Sequence, residues 1–226
     1  MWQEISKYGN RQVYNKRKPY RDDWVANVSR AEVLGAYTEH RGKFLFVWIN
    51  KTAGLSVTRA LGIDKYLYNH YTAMELREIL GNDKFSSMFK FCFVRNPWDK
   101  VFSEFRYRIW TSQNELTEDA NFTDWVRSTY VEKDPKYHDW PKMFLPQLEW
   151  LTDEKGHIAV DFIGRFENLQ YDFDKISAAI KIDRQSLPHE NRSRENKSYR
   201  SYYDKETKDI VEKVFKADIE FFGYKF

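Results

Sequence analysis

An α/β fold built on a short parallel sheet is what this sequence predicts, and three observations carry it. Phe44-Leu-Phe-Val-Trp-Ile49 and Phe89-Lys-Phe-Cys-Phe-Val94 are short, nearly continuous apolar runs, the pattern of strands buried on both faces. Each run stops at turn residues that bring a cation and a hydroxyl. Asn50-Lys-Thr-Ala-Gly-Leu-Ser56 follows the first, and Arg95-Asn-Pro-Trp-Asp-Lys100 with Val101-Phe-Ser103 follows the second. Helical spacing then resumes beyond both turns. In open α/β sheets, ligands sit beyond the carboxyl ends of the strands, where backbone N–H groups face anions. Two such corners, with Lys51 at one and Arg95 at the other, suit a ligand with two separate phosphates.

The remaining elements follow in order. Residues 1–40 are polar and irregular, with one short helix expected near Ser29 to Tyr37. A helix is expected from Leu55 to about Leu61. Thr72-Ala-Met-Glu75 has capping-box spacing and opens a helix that ends near Gly81. Trp98 to Trp110 is the helix after the second corner, with Pro97 pre-set for its entry. Asn121 to Thr129 and Pro141 to Leu151 are read as helices over the sheet. Asp161-Phe-Ile-Gly-Arg-Phe166 is a third strand, and Leu169 to Ile180 a helix. Asp204 caps the last helix, in which Ile210, Val211, Val214, Phe215, Ile219 and Phe222 keep helical spacing.

Composition bounds the function. A chain of 226 residues is expected to form one domain, 1–226, able to bury roughly 70% of its unfolded surface. No internal repeat, low-complexity tract or linker divides it. A single cysteine, Cys92, excludes an internal disulfide framework or a Cys-rich zinc site and suits a reducing compartment. No run approaches the ~20 apolar residues of a membrane span, and the first residues do not read as a signal peptide, so a cytoplasmic protein is expected. The net charge of +3 is too small to argue for nucleic acid. Its clustering matters more. Arg11, Lys16, Arg17, Lys18 and Arg21 form one basic run, and Arg192, Arg194, Lys197 and Arg200 another.

Lys51-Thr-Ala-Gly-Leu-Ser56 resembles the 5′-phosphosulfate loop of sulfotransferases that use 3′-phosphoadenosine 5′-phosphosulfate (PAPS). Phe93-Val-Arg-Asn-Pro-Trp-Asp99, with Ser103 beyond it, resembles their 3′-phosphate motif. The branch most similar contains the heparan and chondroitin sulfotransferases and their small bacterial relatives. The resemblance continues through Asn69-His-Tyr-Thr-Ala-Met-Glu75, Asp161-Phe-Ile-Gly-Arg-Phe-Glu-Asn-Leu169 and Tyr202-Tyr-Asp204 to Gly223-Tyr-Lys-Phe226. It thus spans about residues 43 to 226. It implies a P-loop-like three-layer sandwich with the parallel sheet flanked by helices, PAPS as co-substrate, no metal, and a hydroxyl acceptor on a carbohydrate.

The resemblance also implies roles. Lys51 would face the bridging oxygen that departs with the 5′-phosphate. The backbone of Thr52, Ala53, Gly54, Leu55 and Ser56, with the Thr52 and Ser56 hydroxyls, would hold that phosphate. Gly54 would let the backbone approach the anion closely. Arg95 and Ser103 would take the 3′-phosphate, supplemented by Arg192 and Ser193 from Asn191-Arg-Ser193, with Lys197 behind them. His70 would be the general base, since a neutral imidazole accepts a proton at working pH. Glu75 and Glu167 are alternative bases, otherwise read as a helix cap and a strand-end partner of Arg165. Gln147 is read either as facing the acceptor or as a helix-surface residue. Three rival functions stay open: a P-loop kinase, a nucleic-acid-binding module and a non-catalytic sugar-binding module. Against the kinase, Lys51 precedes Gly54 and no Gly-Lys pair begins a helix. Against the nucleic-acid module, no basic stripe or base-stacking motif is present.

Overall fold

The computed structural model describes residues 44–62, 70–187 and 198–226. The expected helix near Ser29 to Tyr37, the first basic run and Asn191-Arg192-Ser193 lie outside them. The described residues fall into two compact units, one drawn from residues 44–95 and 147–187, the other from 96–146 and 198–226.

The first unit holds the sheet. Strands β1 (Phe44–Val47), β2 (Phe89–Val94) and β3 (Phe162–Arg165) run in the order β1-β2-β3, both pairs parallel. Phe44 pairs with Phe89 and Val47 with Cys92; Phe91 pairs with Phe162 and Val94 with Arg165. All of β1 and nearly all of β2 are buried, which is why both read as continuous apolar runs. Lys90 interrupts β2 with its charge paired. Its ammonium lies 2.8 Å from the Asp161 carboxylate and donates to the Met88 carbonyl at 2.7 Å. At Gly164 a Cβ would lie 2.4 Å from the Phe93 ring, so β3 closes on β2 only through a glycine.

Helix α1 (Gly54–Ala60) follows β1. Helix α2 (Ala73–Leu80) begins at the expected capping box. The Thr72 hydroxyl accepts from Glu75 N–H, and the Glu75 carboxylate accepts from Thr72 N–H. A short helix, α3 (Asn82–Ser87), leads from Gly81 into β2. The other unit begins with α4 (Pro97–Trp110), with proline in its first turn as expected and the Asn96 side chain accepting from Trp98 N–H at 3.1 Å. Its apolar face enters a core with Phe122, Trp125, Phe144, Val211 and Phe215. The Tyr203 hydroxyl donates to the Trp98 carbonyl at 2.7 Å, and Asn96 Nδ2 donates to the Lys225 carbonyl at 2.9 Å. Buried Arg108 is ion-paired to Glu104 at 3.0 Å and to Asp139 at 2.9 Å. Burial works against its charge, but the two carboxylates prevail and raise its pKa.

Three expected helices are shaped differently. The one expected at Asn121 to Thr129 is α5 (Phe122–Val126), capped by Asn121, and then widens into a π-type turn over Arg127–Val131. Pro141 to Leu151 is two pieces. A 3₁₀ turn, Pro141–Phe144, ends where Leu145 is extended, and α6 (Gln147–Leu151) starts afresh. Pro146 explains the break, because a proline drives the residue before it out of helical geometry. Next come α7 (Leu169–Ala179), α8 (Lys205–Val214) and α9 (Lys216–Phe222). Asp204 caps α8 with Thr207 as reciprocal partner, but the final helix breaks at fully buried Phe215.

Candidate functional site

The carboxyl ends of the three parallel strands converge on Arg95. Its side-chain Nη1 donates to the Lys51 carbonyl, beyond β1, at 3.0 Å. Its guanidinium lies 4.0 Å from the centre of the Phe166 ring, beyond β3. A flat cation on an aromatic face is a favourable packing for arginine. The peptide of Arg95 is gripped as well. Its N–H donates to Gln147 Oε1 and its carbonyl accepts from Gln147 Nε2, each at 2.8 Å. Gln147 is fully buried, so it is not the helix-surface residue that one reading expected.

The loop after β1 turns sharply. Lys51 and Ala53 have φ of 63° and 68°, values that cost a non-glycine residue roughly 1–2 kcal/mol. Ala53 stands at the N-cap of α1, where no side chain caps the helix. Thr52 and Ser56 are buried and Lys51 is half-buried. The Thr52 hydroxyl donates to the Ile49 carbonyl at 2.8 Å, which holds the turn together across three residues. The space at Gly54 is filled by an indole, because a Cβ there would sit 1.8 Å from Trp48 Nε1. The missing side chain therefore serves Trp48 first.

Trp48 also holds His70. Its carbonyl lies 2.9 Å from His70 Nδ1, and the two rings are 5.0 Å apart. A carbonyl only accepts, so Nδ1 carries the hydrogen in this bond and the lone pair of the neutral ring is at Nε2. Trp150 meets the imidazole edge-on at 6.2 Å. His70 comes just before the Thr72–Glu75 box, whose carboxylate caps α2 as the plainer reading expected. Cys92 contributes no thiolate, since full burial pushes its thiol far above the usual range.

The structure thus brings Lys51, Thr52, Ala53, Gly54, Leu55, Ser56 and Arg95 to one end of the sheet. His70 is tied to the same strand end through Trp48. Ser103 lies on α4 in the helical unit. Arg192, Ser193 and Lys197 fall outside the described residues. Two contacts escaped the sequence reading. Trp48 was absorbed into an apolar run, and the grip of Gln147 on Arg95 spans 52 residues. The proline that restarts the chain just before Gln147 was the one local signal. Among the described residues, no helix is long and apolar enough to cross a membrane.

Comparison with known proteins adds three findings. A family model described as "Sulfotransferase family" matches residues 35–225. An uncharacterized protein of Archaeoglobus fulgidus is 30% identical over 112 residues, 49% of this chain and 82% of that relative. No solved structure matches significantly.

Proposed function

The chain belongs to the sulfotransferase family, and from that premise we propose that it transfers the sulfuryl group of PAPS to a hydroxyl on a carbohydrate. The observation that carries this reading is the 3.0 Å bond from Arg95 Nη1 to the Lys51 carbonyl. It ties the two cationic corners together at the end of the sheet where a doubly phosphorylated nucleotide is best received. We take residues 1–226 as one sulfotransferase domain whose P-loop-like core is 43–226. Cys92, buried and unbridged, fits a cytoplasmic setting.

The chemistry needs a grip on the donor, neutralisation of the departing phosphate oxygen and a base for the acceptor. In this reading the N–H groups of residues 52–56 hold the 5′-phosphosulfate, and the Lys51 ammonium offsets charge on the bridging oxygen as its bond to sulfur breaks. Arg95 holds the 3′-phosphate through charge-assisted hydrogen bonds. The family resemblance adds Ser103, Arg192 and Ser193 to that grip. His70 Nε2 takes the acceptor's proton while the acceptor oxygen bonds to sulfur. The products are a sulfate ester, 3′-phosphoadenosine 5′-phosphate and the proton left on the imidazole. Positioning and charge neutralisation dominate, as in phosphoryl transfer, and in this reading Lys51 and Arg95 supply the positive charge.

Incubation with PAPS and separate pools of oligosaccharides, tyrosine peptides and small alcohols, followed by mass spectrometry, tests the assignment. Sulfated sugar is the expected product. Sulfation of peptide or alcohol alone would overturn the carbohydrate assignment, and release of no 3′-phosphoadenosine 5′-phosphate with any pool would overturn the activity.

A further inference from the structure

Gln147 opens α6 immediately after Pro146, and its side chain is fully buried. Both ends of its amide bond to Arg95: the oxygen accepts from the Arg95 N–H and the nitrogen donates to the Arg95 carbonyl, each at 2.8 Å. A carboxamide carries one acceptor and two donors in a plane, so it can pair with a peptide on both edges as a neighbouring strand does. Only one orientation of the amide satisfies both contacts. The ladder between β2 and β3 ends at the pair Val94 and Arg165, so Gln147 anchors the next residue of β2 beyond the end of the sheet.

What that anchor holds makes it more than packing. The Arg95 side chain leaves this fixed peptide to lie 4.0 Å over Phe166 and to donate to the Lys51 carbonyl at 3.0 Å. Lys51 has a positive φ that its own side chain does not favour. A small tilt of the Arg95 peptide would be magnified along the arginine side chain, changing both the aim of the guanidinium and its hold on the loop. We propose that Gln147 is a positioning residue for nucleotide recognition. It fixes the backbone of Arg95 so that the guanidinium meets a 3′-phosphate while bracing the Lys51 loop. This inference rests on the sulfotransferase reading above, because it concerns the phosphate assigned there to Arg95.

The test compares 3′-phosphoadenosine 5′-phosphate with adenosine 5′-phosphate by calorimetry in the wild type, Gln147→Met and Gln147→Glu. Methionine keeps the length and lacks both hydrogen bonds. It should reduce the preference for the 3′-phosphate by about tenfold or more, the range for loss of a charge-assisted contact, and weaken adenosine 5′-phosphate much less. In Gln147→Glu the ionised carboxylate repels the Arg95 carbonyl, whereas the protonated acid can donate to it as the amide does. Its preference, taken relative to wild type at each pH, should therefore recover as the pH falls. This second variant decides the matter even where Gln147→Met fails to fold. Equal weakening of both nucleotides, or a preference that is unchanged in the folded variants, would overturn the positioning role and leave the sulfotransferase reading standing. A wild type without the preference would overturn the assignment of Arg95 and this inference with it.

Discussion

The two strand ends solve the same problem in opposite ways. After β1 the chain enters α1 through two non-glycine residues at positive φ, with no side-chain cap and an indole pressed against Gly54. After β2 it enters the 14-residue α4 through Asn96 and Pro97, with the cap made by Asn96. The first corner is strained and its helix start has no side-chain cap; the second has neither positive φ nor an open Trp98 N–H, which Asn96 takes. An anion at the first corner can be met by N–H groups together with Lys51. At the second, Pro97 has no N–H and Asn96 already takes that of Trp98, so the proposed grip there is the side chain of Arg95. In the proposed mechanism the first corner governs turnover and the second governs binding of the nucleotide.

The largest effect should come from His70, tied to the first corner through Trp48. His70→Gln should lower turnover about 10²–10⁴-fold, the usual cost of losing a general base, with nucleotide affinity nearly unchanged. A folded variant with most of its turnover would make His70 structural and turn attention to Glu75 and Glu167.

Lys51 should come next, at about 10²-fold in turnover, since its charge acts on the departing oxygen. The comparison can be sharpened with two substitutions. Lys51→Ala keeps the unfavourable φ, whereas Lys51→Gly relieves about 1 kcal/mol of it. Both should lose turnover alike while the glycine variant melts higher. If turnover instead followed the melting temperature, the lysine would be acting through the loop and not through its charge.

Gly54→Ala should show the smallest effect of the three, and chiefly on stability. The new methyl meets the Trp48 indole, and overpacking of this kind costs about 1–3 kcal/mol. A companion Trp48→Phe substitution should recover much of the loss in a denaturant titration. Additive losses would mean that the indole is not what excludes a side chain at Gly54.

How much of this was legible in the sequence depended on the range of each interaction. Phe44–Val47 and Phe89–Val94 were readable because burial on both faces leaves an unbroken apolar run. The Thr72–Glu75 box was readable because it closes within one turn, and Asp204 as a cap for the same reason. Pro146 was a local signal as well, and the helical spacing around it hid its effect. The break at Phe215 carries no glycine or proline to announce it. At the site, Lys51 and Arg95 stood out through their place after a strand, but the bond between them joins residues 44 apart. The grip of Gln147 on Arg95 and of the Trp48 carbonyl on His70 are likewise contacts between distant segments. Such pairings follow from how strands and helices are brought together, which no local pattern records.

The role proposed for the second corner requires Arg95 to receive a 3′-phosphate. Calorimetric titration of 3′-phosphoadenosine 5′-phosphate and adenosine 5′-phosphate, in EDTA, into wild type and Arg95→Gln tests it most directly. The wild type should prefer the doubly phosphorylated nucleotide by about 10- to 150-fold, the worth of a charged hydrogen-bond set, and Arg95→Gln should lose most of that preference. Equal affinities in the wild type, or an undiminished preference in the variant, would contradict the claim.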